Sequence, residues 1–363
     1  MDPQLEQARD FFLAGVSDYQ GRRFESAERN FTASLALAPG RPSTLTNLGA
    51  TRLKLGRGDE ALALLDEALV ADPDNTDALG HRAMALAELG KPRDALAAIE
   101  RALAINPKLG AAWTLRGTVL RDLGDAAGAV QSYRTAIAHG ADSELLGFYI
   151  AGIEGSATPD APPPQYVQSL FDHYADGFEK HLVEVLKYQA PQVLAAGLAR
   201  AGRRFECALD LGCGTGLCGV LLRESVRHLD GVDLSPNMVR QAQARGVYDE
   251  VTEADIVVFL RDVAAHYDLV IAADVFIYVG ALESAFARVA AAMMPGGVFC
   301  FSVEAQAARD LVLRRSFRYA HSAAYIERLA AANGFDIQSV EQHAVREDQR
   351  VPIAGLFYWL VKR

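Results

Sequence analysis

Between residues 8 and 141 the chain repeats itself every 34 residues, and that period allows little besides a stack of helix pairs. Proline recurs at Pro39, Pro73 and Pro107. Ala27, Ala61, Ala95 and Ala129 keep the same spacing, as do the bulky residues Phe31, Leu65, Ile99 and Tyr133. Ser34, Ala68, Ala102 and Ala136 form a third register, and Gly15, Gly49, Ala83 and Gly117 recur earlier in each unit. Small residues suit places where two helices approach closely, and bulky ones fill the gap behind them. Gly21, Gly56, Gly90 and Gly124 fall near the turn within each pair, and the proline stops the second helix.

This pattern resembles the tetratricopeptide repeat over residues 8–141, most closely at Trp113, Gly117, Ala129, Tyr133 and Ala136 of the fourth unit. Ala141 stands where that unit's closing proline belongs, so a capping helix near Ser143–Glu154 is expected to end an all-α solenoid spanning 1–154. The resemblance implies a concave groove for a protein or peptide partner. Its wall is expected to include Phe12, Val16, Tyr19, Ala50, Met84, Thr114 and Arg121, and it lacks the Lys/Asn clamp for a terminal carboxylate. Packing against the second domain, or against a second copy in a homo-oligomer, is the alternative use. Residues 155–164, with four prolines, read as a semi-rigid linker.

At 363 residues the chain exceeds the roughly 250–300 that one core serves, which makes a second domain the expectation. No run approaches the ~18 apolar residues of a membrane helix. The start, MDPQLEQARD, has no apolar signal region, so a cytoplasmic location is expected. Net charge is −10, shared as about −5 by each half: residues 1–154 carry 16 basic and 21 acidic side chains, and the rest 20 and 25. With no basic run, duplex nucleic acid is an unfavourable partner. Cys207, Cys213, Cys218 and Cys300 form no CxxC and have no nearby His at ligand spacing, and no metal is expected.

From Phe205 onward, apolar runs alternate with helical stretches. Strands are predicted at 205–211, 229–233, 250–253, 267–273, 298–303, 334–343 and 355–361, giving a mostly parallel seven-stranded α/β sheet in residues 165–363. The first predicted strand ends in Asp210, followed by Gly212, Gly214 and Gly216 at the start of a helix. Glycines let backbone approach a ligand, and the helix start favours an anionic group. Asp233 ends the next strand, where a carboxylate accepts both ribose hydroxyls of an adenosine. Gly214–Gly219 also satisfies GxGxxG, yet that match starts after a glycine already used, and Asp210 beside the loop would repel a pyrophosphate; NAD is disfavoured.

The half-chain resembles class I, Rossmann-like, S-adenosylmethionine-dependent methyltransferases. DLGCGTG (210–216) stands as the first motif, VDLSPNM (232–238) as the second, ADI (254–256) as the third, AADV (272–275) as the fourth, and MPGG (294–297) as the turn before strand five. Together with the repeats, the set suggests the bacterial predicted methyltransferases that carry tetratricopeptide repeats. The resemblance implies S-adenosylmethionine as cofactor, with S-adenosylhomocysteine as product. The cofactor-binding set it implies is Asp210, Gly212, Cys213, Gly214, Gly216, Asp233, Leu234, Met238, Asp255, Ile256, Ala273 and Tyr174. Within it, the glycines lie against the methionine part, Asp210 near the ammonium, Asp233 on the ribose, Leu234 and Ile256 about the adenine, and Asp255 on the adenine amino group or simply capping a helix. Residues 171–182, with Phe171, Tyr174, Phe178 and His181, suggest a lid. On the acceptor side, His321 is the expected base, with Tyr319 and Tyr278 beside it. The acceptor itself is not specified by sequence. Three readings stand: transfer to a protein recruited by the repeats, transfer to a small metabolite, and a scaffold that binds the cofactor without turnover.

Overall fold

The 34-residue period is built as helix pairs: α1 (Pro3–Gln20) with α2 (Phe24–Leu37), α3 (Pro42–Lys54) with α4 (Gly58–Ala71), α5 (Thr76–Glu88) with α6 (Pro92–Ile105), and α7 (Gly110–Asp122) with α8 (Ala126–Ala138). Helix α9 (Ser143–Glu154) follows. This computed structural model describes residues 3–155, 158–167, 170, 186–348 and 351–363. The chain divides into two units, Met1–Ile150 and Ala151–Arg363, and the division falls inside α9.

The small and bulky registers of the repeat meet as partners across each pair. A Cβ added at Gly15 would lie 2.7 Å from the Phe31 ring, at Gly49 2.8 Å from Leu65, and at Gly117 2.5 Å from the Tyr133 ring. In the third unit Ala83 stands at that place, and it is fully buried together with Ile99. Close approach therefore demands the smallest residues in the first helix of each pair. The turn within each pair places one residue in left-handed backbone: Gly56, Gly90 and Gly124 in the later units, but Arg22 (φ 58°) in the first, one position past Gly21. The wall expected for the groove is partly consumed by packing. Phe12, Val16 and Tyr19 lie against the cluster of Ala27, Phe31 and Leu48, and Ala50 is buried. At the last pair, Tyr133 meets Tyr149 of α9 at 5.5 Å, and Arg121 lies over the Tyr149 ring.

The second unit is a twisted sheet with helices on both faces. Its strands are β1 (Phe205–Leu211), β2 (Val226–Asp233), β3 (Glu250–Glu253), β4 (Tyr267–Ala272), β5 (Met293–Gln306), β6 (Leu311–Leu313), β7 (Tyr319–Ser322), β8 (Phe335–Asp348) and β9 (Val351–Lys362). The main path runs β3-β2-β1-β4-β5-β7-β6, and β9 joins β5 while pairing with β8. Pairings among β3, β2, β1, β4 and β5, and between β5 and β7, are parallel; those of β9 with β5, β6 with β7 and β8 with β9 are antiparallel. Among the described residues the sheet thus has nine strands where seven were expected. The two extra ones, β6 and β7, are only 3 and 4 residues long, too short to leave an alternating pattern in the sequence.

Each face of the sheet buries its own apolar layer. On one, Phe276, Phe286, Phe299, Phe301 and Phe335 pack edge-on and tilted, with ring centroids 4.7–6.4 Å apart. On the other, the helix α10 (Ala190–Arg200) lies over Leu269, Cys300 and Trp359. The indole fills the place of a side chain at Gly197, 2.2 Å from where a Cβ would sit. No described helix is long and apolar enough to cross a membrane.

Two glycine substitutions in the repeats are expected to act in opposite directions. Gly117→Val forces new methyls into the Tyr133 ring and lowers stability by about 1–3 kcal/mol. Gly80→Ala, inside α5 with nothing within 4 Å of the added methyl, raises it by about 0.5–1 kcal/mol. Urea unfolding followed by helical circular dichroism measures both.

Candidate functional site

The carboxyl ends of β1, β2 and β4 open into a cavity of about 800 Å³, within the size range of small-ligand sites. Gly212, Cys213, Gly214 and Thr215 supply the β1 side, Asp233, Leu234 and Met238 the β2 side, and Asp255 to Val258 the segment after β3. Ala273, Asp274, Val275 and Tyr278 close the β4 side, with Arg318, Arg346 and Tyr188 beyond. The loop after β1 has left-handed backbone at Gly212 and Gly214, with φ of 63° and 55°. A Cβ at Gly212 would strike Val275 at 2.6 Å, whereas one at Gly214 would enter open space. Gly214 therefore presents bare backbone to whatever fills the cavity.

Asp233 governs this loop. Its Oδ2 accepts a 2.8 Å hydrogen bond from the Gly214 N–H, and Oδ1 accepts one of 2.9 Å from Ser235 N–H. The carboxyl is only 8 % exposed, and burial pushes its pKa upward against those backbone hydrogen bonds. Ser235 in turn caps the helix α12 (Pro236–Arg245), which follows α11 (Leu217–Leu222) in the chain, and Asp255 caps α13 (Ile256–Phe259) by accepting from Val257 and Val258 N–H at 2.9 and 3.0 Å. The Thr215 hydroxyl is buried in the cavity wall with no hydrogen-bond partner among the described residues.

The β4 side is ionic. Asp274 adopts left-handed backbone (φ 59°), its N–H donating to Ser302 Oγ at 2.9 Å. Its Oδ2 pairs with Arg346 Nη1 at 2.8 Å, while Oδ1 is buried with no hydrogen-bond partner among the described residues. Arg346, 2 % exposed, also pairs with Glu304, which Arg314 reaches from its other side at 3.2 Å. Arg318 Nε donates to the Tyr278 hydroxyl at 3.3 Å. Tyr188 donates to the Ala273 carbonyl at 3.2 Å.

Residues 186–340 match the family model described as a methyltransferase domain, and residues 18–87 and 52–119 match that of the tetratricopeptide repeat. The chain thus carries a methyltransferase domain and tetratricopeptide repeats. It is 28% identical over 182 residues to the malonyl-[acyl-carrier protein] O-methyltransferase of Salmonella typhimurium, a match spanning 50% of this chain and 68% of that enzyme. Methyltransferase-like protein 27 of Homo sapiens is 35% identical over 95 residues, which span 24% of this chain and 38% of the human one. Among solved structures, magnesium protoporphyrin IX methyltransferase from Synechocystis PCC 6803 superposes with a TM-score of 0.45 at 17% identity, covering 55% of this chain and 100% of that one.

Of the residues expected to hold the methyltransferase cofactor, Gly212, Cys213, Gly214, Asp233, Leu234, Met238, Asp255, Ile256 and Ala273 all line the cavity. Asp210 and Gly216 do not. Asp210 lies beneath the loop, 1 % exposed, accepting a 2.7 Å hydrogen bond from the Tyr248 hydroxyl. Gly216 is filled from behind by Arg245 and Tyr248, whose atoms stand 3.0–3.1 Å from where its Cβ would be. Tyr174, like the rest of the expected lid at 171–182, lies outside the described residues.

On the acceptor side Tyr278 reaches the cavity, but the assignment of His321 and Tyr319 needs correction. Pairing of β7 with β5 draws both residues into the sheet, where each is fully buried and neither lines the cavity. His321 Nε2 donates to the Gly280 carbonyl at 2.7 Å, and burial holds its conjugate acid down at about 4. It is a structural imidazole.

Sequence reasoning also missed Tyr248, Arg318 and Arg346. Arg346 is brought in from 72 positions beyond Asp274, just after a bulge in β8, a device that re-aims side chains. Near the amino ends of β1 and β4, Cys207, Asp230 and His266 bring ligand-type atoms within 4.8 Å of one another, contrary to the spacing argument. Asp230 there is already engaged by the Tyr267 hydroxyl and by His228, both at 2.9 Å, and burial pushes the Cys207 thiol up to about 11.

Burial, with Asp233 nearby, raises the Asp210 carboxyl from 3.8 to about 7 despite the Tyr248 hydrogen bond. Between those values the native state retains a proton that the unfolded chain has released. Stability present below about pH 4 is therefore lost as pH rises toward 7. Asp210→Asn lacks this slope. In the ligand-free protein its stability relative to wild type is expected to rise by about 3–4 kcal/mol across that window, read from urea unfolding at stepped pH.

Proposed function

We propose that this chain transfers the methyl group of S-adenosylmethionine to an acceptor held on the β4–β7 side of the cavity, while its repeats bind a protein partner. The observation that carries this reading is the pairing of an open glycine backbone with a buried carboxylate at the end of β2. Asp233 uses one hydrogen bond on each carboxylate oxygen within the protein, which leaves lone pairs for two ribose hydroxyls. Leu234, Met238 and Ile256 offer apolar surface to an adenine, and Asp255 stands at its edge. The Gly212–Gly214 backbone and the Thr215 hydroxyl suit the methionine end.

The bound cofactor supplies an activated methyl group. What remains for the protein is to align the attack and exclude water. Cys213, Val275 and Val279 keep the middle of the cavity apolar. A general base is needed only for an acceptor that is protonated at neutral pH, and Asp274 Oδ1 is the open acceptor in the wall for that proton. The four cysteines are unpaired, which suits a reducing compartment, and the cytoplasm is the proposed site of action.

Calorimetric titration of the full chain with S-adenosylmethionine, S-adenosylhomocysteine and NAD tests the assignment. Micromolar affinity for the two sulfur ligands and none for NAD is expected; the reverse order would sink it. Asp233→Ala is expected to weaken S-adenosylmethionine by about 1–3 kcal/mol, through lost charge-assisted hydrogen bonds and a loosened Gly214.

A further inference from the structure

On the β4–β7 side the cavity is lined by Arg318, Arg346, Asp274 and Asp160, with Glu304 and Arg314 behind them. Arg346 joins Asp274 and Glu304, and Arg314 joins Glu304. Arg318 is the guanidinium left over. Beyond the Nε contact to Tyr278, its two terminal nitrogens have no hydrogen-bond or ion-pair partner among the described residues. The side chain nonetheless sits half-buried in the cavity wall. Arg346 adds a repulsive positive charge nearby, and its own Nε is buried with no hydrogen-bond partner among the described residues.

Asp274 and Glu304 attract the Arg318 fork only through space, with no hydrogen-bonded anion among the described residues, and its planar geometry matches a carboxylate through two parallel hydrogen bonds. Position decides what brings that anion. Along the sheet order β3-β2-β1-β4-β5-β7, the nucleoside-holding carboxylates stand after β2 and β3, and Arg318 immediately precedes β7 at the far end. The open fork therefore faces the acceptor's half of the site.

We propose that Arg318, oriented by the Tyr278 hydroxyl, binds a carboxylate carried by the methyl acceptor. This rests on the methyltransferase reading given above. In the transfer, a lone pair of the acceptor forms the bond to the methyl carbon and the carbon–sulfur pair returns to sulfur, leaving a neutral thioether. Any proton the acceptor loses passes to Asp274 or to water. Arg318 makes no bond in that exchange; it holds the acceptor.

Two measurements on the full chain separate the sources of the carboxylate. Arg318→Gln is expected to bind S-adenosylmethionine within about twofold of wild type, and both proteins to disfavour decarboxylated S-adenosylmethionine equally. A tenfold loss in the variant, with that discrimination gone, would place the carboxylate on the cofactor and overturn the acceptor assignment. The second measurement follows labelled methyl from S-adenosylmethionine into a small-molecule extract of cells that make the protein. Transfer is expected to survive phosphatase treatment of the extract and to disappear when its carboxyls are amidated. It is expected to fall at least about tenfold in Arg318→Gln, chiefly through KM, with partial recovery in Arg318→Lys. Undiminished transfer to amidated extract, or by Arg318→Gln, would overturn the proposal while leaving the methyltransferase reading intact. Cofactor binding without transfer to untreated extract would likewise overturn the proposal, and a failure to methylate protein extract as well would be the failure of the methyltransferase reading.

Discussion

The β1–β2 half of the cavity hangs on one buried carboxylate. Asp233 ends β2 and binds the N–H of Gly214 on one oxygen and of Ser235 on the other, so the loop after β1 and the start of α12 are set by a single side chain. A buried carboxylate needs such donors, and the loop N–H needs such an acceptor; each resolves the other's cost of leaving water. The glycines make the arrangement sterically possible, because Gly212 has Val275 where a side chain would begin and Gly214 must turn its backbone outward. Beneath the loop, Tyr248 bonds Asp210 and receives Gly219 N–H at 3.2 Å, so a second carboxylate holds the loop from behind without reaching the cavity.

The opposite wall is held by charge rather than by backbone. Arg346 joins Asp274 at the end of β4 to Glu304 near the end of β5 from its own place on β8, and Arg314 secures Glu304 from the β6–β7 turn. Removing any member would strand a buried charge, the costly event in such a network, whereas the intact set adds little net stability. Its value lies in position. Asp274 is kept in left-handed backbone, a conformation that costs about 1–3 kcal/mol for a residue other than glycine and persists only where its surroundings impose it. A rigid wall of that kind keeps Asp274 Oδ1 and the Arg318 fork at defined places.

Legibility in the sequence tracked how local each signal is. The 34-residue period survives in the sequence because every unit meets the same neighbour in the same way, so Gly15–Phe31, Gly49–Leu65 and Gly117–Tyr133 repeat one contact. The glycine loop and Asp233 were legible because loop geometry and strand ends impose residue types at short range. The His321 expectation failed for the complementary reason. Four residues of β7 carry no pattern, and only pairing with β5 shows that His321 turns into the sheet and not toward the cavity. Arg346 left no local trace, since its partners lie 72 and 42 positions away.

The sequence by itself therefore determined the two architectures, the helix-pair solenoid and the doubly wound sheet, together with most of the residues that line the β1–β3 side of the cavity. Those follow from periodicity, glycine and short-range backbone demands, which are properties of neighbouring positions. Tertiary structure alone decided which polar groups reach the β4–β7 half of the cavity: it sealed His321 and Tyr319 inside and brought Arg318, Arg346 and Asp274 to the wall. Strand order and the bulge in β8 made that choice, because the placement of charge in a site depends on chain segments that meet only after the sheet has formed.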